Sequence, residues 1–176
     1  MENVNKILSD GALKGIYLGL ALAVYSLIFW VFNLPLFSLM NGIITFVVVF
    51  GGEIAYMVII EKKLRTSFGG KISFQQLFLY GFVVLFVAGL ISLLFSHVLY
   101  HYIDPEFINN QVDMAYDSMS AMISDSDTLE KAMEGIEEGA KSMQDTVGSL
   151  AKMWIGPLII SLILALIIKK DVNEIA

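Results

Sequence analysis

The chain has 176 residues, of which 57% are hydrophobic and 16% charged, with no cysteine and a formal net charge of −6. A soluble domain is about 45–50% apolar and about 25% charged, so this composition argues against a soluble enzyme, a disordered tail and a nucleic-acid binder with its basic surface. Zero cysteines exclude disulfides, thiolate metal sites and a cysteine nucleophile. What remains is one small, all-α, integral membrane domain.

A membrane span needs about 20 mostly apolar residues, because the hydrocarbon core is about 30 Å thick and a helix rises about 1.5 Å per residue. Four stretches qualify, and they must be helices because lipid cannot satisfy open backbone groups. The first covers residues 12–32 and carries Lys14 near its start. Its apolar run exceeds the ~7–15 residues of a signal peptide and no small-residue cleavage site precedes Pro35, so an uncleaved span is expected. Gly11, Gly15, Gly19 and Ala23 form a ladder of small residues along it, open to close packing within the chain or against a second copy. The second span covers residues 38–60 and contains a single acid, Glu53, directly after Gly51 and Gly52. Behind the glycine turn Gly69-Gly70, Ser73 and Gln76 read as a capping box that opens the third span, residues 74–103. That span holds a second small-residue ladder (Ala88, Ser92, Ser96) and ends with His97 and His101. The fourth covers residues 150–168 and begins with Lys152 and Trp154.

Lys6, Lys14, Lys62, Lys63, Arg65, Lys71, Lys169 and Lys170 all fall on one side of these spans. The excess of cations predicts that side to be cytoplasmic, with both termini there. Between Asp104 and Lys152 three lysines stand against eleven acids, a balance of −8 in a chain whose remainder is +2. The acidity therefore belongs to one extracytoplasmic region. Trp30, Tyr100, Tyr102 and Trp154 fall at the same outer interface, where aromatic belts form.

Residues 104–150 carry a helical periodicity of their own. Apolar positions recur at Ile108, Val112, Ala115, Met119 and Met122, and again from Leu129 through Met133, Ile136, Ala140, Met143 and Val147 to Leu150. The turn 124–127 separates the runs, with Asp127 and Glu130 placed as an acidic capping box, and Asp104-Pro105-Glu106 reads as N-cap, first helical residue and acid. An antiparallel helical hairpin is expected. The second stripe continues through Trp154, Pro157, Ser161, Leu164 and Ile168, which favours one kinked rod of about 60 Å from Asp127 to Ile168. The alternative, a break at Gly156-Pro157, leaves only about 18 Å for the membrane.

Glu53 is the leading candidate residue, since a carboxyl within a span is costly and faces the bundle interior. Antiparallel counting places Tyr17 and Tyr80 at a similar depth, with Lys14 able to reach inward from below. Two readings stand: a protonatable site on a proton or cation path, or a structural carboxyl paired with Lys14 or a tyrosine. No second acid falls within the spans to relay a proton. His97 and His101 are one turn apart, as in a shared metal site, but only Asp104 and Glu106 lie near as further ligands, so two amphipathic interface side chains are the alternative. No nucleophile–base pair, phosphate loop or dinucleotide fingerprint is present, so neither enzymatic chemistry nor a bound cofactor or metal is expected.

The loop Phe68-Gly-Gly-Lys-Ile-Ser-Phe74, the long third span closed by Asp104-Pro105-Glu106, the acidic helical insert and the terminal Lys169-Lys170 together resemble a bacterial membrane family known as domain of unknown function 4199. That resemblance covers nearly the whole chain. It implies a multi-pass bacterial inner-membrane protein and supplies no activity or functional residues. Within that frame the leading expectation is a non-enzymatic scaffold whose residues 104–150 contact a second copy or a protein partner, beside the lipid bilayer itself. The alternative is a small oligomeric transporter or channel that uses Glu53.

Overall fold

The computed structural model describes residues 2–170, apart from the side chains at 2, 3 and 170, and every regular element among them is helical. Helix α1 (Glu2–Val31) leads into a tight turn through Asn33, whose positive φ of 45° is of the kind asparagine tolerates. The second span is composite: α2 (Leu39–Thr45), capped by the Ser38 hydroxyl, passes through a π-helical turn (Phe46–Phe50) into α3 (Gly51–Ser67). Gly69 and Gly70, at φ 64° and 78°, then reverse the chain in a conformation that a side chain would strain. The expected capping box is present, with Ser73 accepting from the Gln76 amide and the Gln76 side chain accepting from the Ser73 amide.

Helix α4 (Phe74–Val98) continues through a second π-helical turn (Leu99–Ile103) and stops at Asp104, whose non-helical backbone precedes Pro105. Beyond it lie α5 (Phe107–Ser120), α6 (Ser126–Gln144), α7 (Thr146–Lys152) and α8 (Ile155–Lys170). Four stretches are long and apolar enough to cross a membrane: Val4–Val31, Leu39–Ser67, Phe74–Ile103 and Thr146–Lys169. The protein is a multi-pass membrane protein. The terminus that comes after Lys170 lies outside the described residues.

In a bilayer the lipid tails are as apolar as leucine, so helix association rests on close packing more than on water exclusion. The α1–α4 pair meets this with its glycines. A Cβ added at Gly15 would lie 2.6 Å from the Val84 carbonyl oxygen, and one at Gly19 would lie 2.8 Å from the Ile91 Cβ. The ladder is thus consumed inside the chain, and Ala88 of the second ladder packs against Gly19. Helix α8 covers another face of α4 through Leu164, Ala165 and Ile168. The basic-end half of α3 joins this core through Met57, Ile60 and Leu64. The other half of its span does not: Leu39 is 83% exposed, Phe46 65% and Val47 62%, so it stands away from the bundle against lipid.

Helices α5 and α6 pack on one another and sit on the end of the bundle opposite the basic loop. Phe107, Ile108 and Ala140 are buried against Trp30, Leu36, Phe37 and Tyr100. Buried Gln111 fixes this seat, accepting from the Leu36 amide at 2.8 Å and donating to the Asn33 side chain at 3.0 Å. Much of the apolar stripe is spent this way, although Met122 (85%) and Val147 (79%) remain exposed.

Three local expectations are corrected. The single rod is broken twice, at Asp145, which ends α6 and caps α7 through the Gly148 amide, and again at Met153–Trp154. Pro157 falls in the first turn of α8, where its missing N–H has no helical partner to lose, so it produces no kink. Asp125, not Asp127, caps α6. Hydrogen bonds from the Thr128 hydroxyl and then the Thr128 amide hold its carboxyl below the usual carboxylate range. Asp104 does not cap α5, which starts at Phe107 without a side-chain cap; its carboxylate accepts from the Trp30 indole at 3.0 Å instead.

Candidate functional site

Three cavities lie in a row along α1, where it faces the second span. A chamber of about 480 Å3 lies toward the α5–α6 end, between α1, the composite span and α4. Its wall carries Tyr25, Ser26, Thr45, Glu53, Ser92 and Ser96, and Met143 and Ser149 of α6 and α7 close part of its rim. A narrower cleft of about 330 Å3 shares Leu22, Tyr25, Val49 and Glu53 with the chamber. It also shares Tyr17 and Tyr56 with a third cavity of about 790 Å3 at the basic end, lined by Lys6, Asp10, Lys14, Lys63 and Tyr80. The shared walls make one groove along α1. Glu53 stands at the junction of chamber and cleft.

Four of the hydroxyls around the groove have hydrogen-bond partners on another helix. The Tyr25 hydroxyl and the Thr45 Oγ1 are 2.9 Å apart, a polar tie between α1 and the otherwise detached half of the second span. The Tyr56 hydroxyl donates to the Lys14 carbonyl at 3.1 Å, joining α3 to α1. The Tyr80 hydroxyl donates to the Asp10 carboxylate at 2.8 Å. These ties keep the phenols satisfied in lipid, where an orphaned polar group is costly.

Of the four residues grouped from the sequence, the structure brings Glu53 and Tyr17 to one cleft. Lys14 and Tyr80 line the basic-end cavity, which Tyr17 shares and Glu53 does not. Tyr80 is buried and committed to Asp10, and the Lys14 ammonium lies 5.8 Å from the Tyr17 ring centroid, in the basic-end cavity. His97 and His101 lie side by side, with ring centroids 4.4 Å apart and the rings tilted by 38°. His97 Nδ1 pairs with the Thr146 hydroxyl at 2.8 Å and His101 Nδ1 with the His97 carbonyl at 3.1 Å, so both rings are engaged by hydrogen bonds. Among the described residues no third histidine or carboxylate joins them as a metal ligand.

The residue missed from the sequence is Glu61. It lies on α3 two turns beyond Glu53, about 12 Å along the axis, and is fully buried between α4 and α8. Among the described residues neither carboxyl oxygen has a hydrogen-bond partner. Gly81 of α4 makes room for it: a Cβ there would lie 2.7 Å from Oε1 and 3.1 Å from the Ser161 Cβ of α8. The Ser161 hydroxyl is spent on the Pro157 carbonyl at 2.6 Å. Two acids therefore lie within the second span.

The family model described as Protein of unknown function (DUF4199) matches residues 14–170, nearly the whole bundle. The chain belongs to that family. The stretch shared by this DUF4199 member includes Glu53, Glu61 and both histidines, and leaves out Lys6 and Asp10. No curated protein and no solved structure matches the chain.

Proposed function

We propose that the protein is a small membrane transporter or channel that passes protons or small cations along the groove beside α1. One observation carries this reading: a carboxyl at mid-span, Glu53, stands where a hydroxyl-lined chamber meets a cleft leading to a basic-end cavity. A buried or half-buried acid in a span is costly, and a polar path past it gives that cost a use. The cations Lys62, Lys63, Arg65 and Lys71 gather at one end, which supports a bacterial inner-membrane orientation with that end in the cytoplasm. Four spans enclose little volume and the groove is open along one side, so the working unit is an oligomer in which a second copy closes it. In proteoliposomes holding a pH-sensitive dye, E53Q abolishes a pH-dependent flux that the unaltered protein supports. Equal flux in both removes the reading.

The exposed Tyr116, Met122 and Val147 favour a second reading, in which residues 104–150 act as a docking arm of a non-enzymatic scaffold. It requires association of the purified protein through that arm. Native mass spectrometry and crosslinking that return only monomers, with no specific partner in pull-downs, would remove it.

A further inference from the structure

Glu61 has no part in the groove, which passes on the other side of α3, along Tyr56, Ile60 and Leu64. A carboxylate sealed in an apolar site pays a large desolvation cost unless it is paired, hydrogen-bonded or protonated. Glu61 is sealed, with none of its surface accessible, and has no hydrogen-bond partner among the described residues.

The occupant of such a site is dictated by its ligands. A hard monovalent or divalent cation needs several oxygens around it. Here the space beside Gly81 that takes Glu61 Oε1 is otherwise bounded by the Met57 methyl and the Ser161 Cβ, and the Ser161 and Tyr80 hydroxyls are already spent on the Pro157 carbonyl and on Asp10. A proton needs no further shell. We infer that Glu61 is a proton-binding site, occupied when α3 is packed on α4 and α8, and emptied when α3 parts from them. This rests on the transport reading and deepens it by naming the proton as the ion coupled to movement of α3.

The charged and titratable groups around the site set the consequence of proton release. On α3, Arg65 is one turn on from Glu61 and donates to the Ile168 carbonyl at 3.2 Å, which ties α3 to the last turn of α8. From α4 comes Tyr80, whose hydroxyl is committed to Asp10 of α1. Helix α8 presents Ser161, while its Lys169 is exposed. On release the Glu61 O–H bond breaks, the electron pair stays on the carboxylate, and the proton passes to water in the basic-end cavity that Ile60 and Leu64 line. Arg65, at i+4 on the same face, is then the cation within reach of the new carboxylate. Pairing with it withdraws the guanidinium from Ile168 and unties α3 from α8. Proton loss and helix separation are thus one event.

Two measurements on the full chain in lipid test this without any flux. Infrared difference spectra of the unaltered protein against E61Q should show the carbonyl stretch of a protonated carboxyl, and E61D should keep a shifted band. Because the chain has no cysteine, Leu164→Cys provides a single thiol at a buried position of α8, in the cluster that holds Met57, Ile60 and Leu64 of α3. Its labelling by a membrane-impermeant reagent should rise several-fold more with pH when Glu61 is present than in E61Q, which supplies the thiol's own pH trend. A missing protonated band, or identical labelling trends in both backgrounds, overturns the inference. Failure of the transport reading appears separately, as flux indifferent to E53Q.

Discussion

Substituting Gly15 by alanine tests whether close approach holds α1 to α4. The added methyl would stand 2.6 Å from the Val84 carbonyl oxygen and 2.8 Å from the Val87 Cβ, where ordinary contact begins near 3.4 Å. The first of these neighbours is backbone, so no rotamer change relieves it; the helices must part by several tenths of an ångström at their crossing. Overpacking of this kind costs about 1–3 kcal/mol. Alanine recovers about 0.5–1 kcal/mol relative to glycine in a helix interior. The net expectation is a loss of about 1–2 kcal/mol for G15A. The same change at Gly52, where nothing lies within 4 Å, keeps only the gain. Reversible unfolding in mixed micelles, monitored by denaturing-detergent titration, should therefore rank G52A above the unaltered chain and G15A below it. A G15A variant as stable as G52A would refute the packing argument.

Removing the Ser73 hydroxyl (Ser73→Ala) dissolves the capping box of α4 and should cost about 1 kcal/mol in the same titration. Gln111→Met strips the Leu36 amide of its buried acceptor, at a cost of about 1–3 kcal/mol, and hydrogen exchange should show the Leu36 amide losing protection. Asp125 is held below the ordinary carboxylate range by Thr128, so its contribution is present above the unfolded value and fades as pH falls through the lowered one. Protection of the Thr128 amide should take that course and be absent in Asp125→Ala at every pH.

Long-range architecture was legible where the chain's chemistry is local. Spans arise from runs of apolar residues, the start of α4 from Ser73 and Gln76, and close helix approach from the four-residue spacing of Gly11, Gly15 and Gly19. Glu53 was legible as an acid in a span. Glu61 was not, because Lys62 and Lys63 come directly after it and a charge cluster reads as the membrane boundary. Its burial depends on Gly81 and Ser161, which are distant in sequence and carry no local mark of the contact. The breaks at Asp145 and Met153–Trp154 escaped for a related reason: the apolar stripe keeps its period through both, and only the Asp145 side chain, by capping α7, reveals the first. The partners of Tyr80 and Trp30, Asp10 and Asp104, depend on helix tilt and register, which residue spacing does not contain.

The chamber at the α5–α6 end is the most direct point of test, since everything proposed for Glu53 requires water to reach it. Ser92→Cys would place a thiol on its wall, and Leu94→Cys, two residues away on an exposed face of α4, would place one against lipid. A membrane-impermeant thiol reagent added on the side bearing α5 and α6 should label the first and spare the second. Labelling of Leu94→Cys with Ser92→Cys silent would show that the chamber is dry and that Glu53 faces no path.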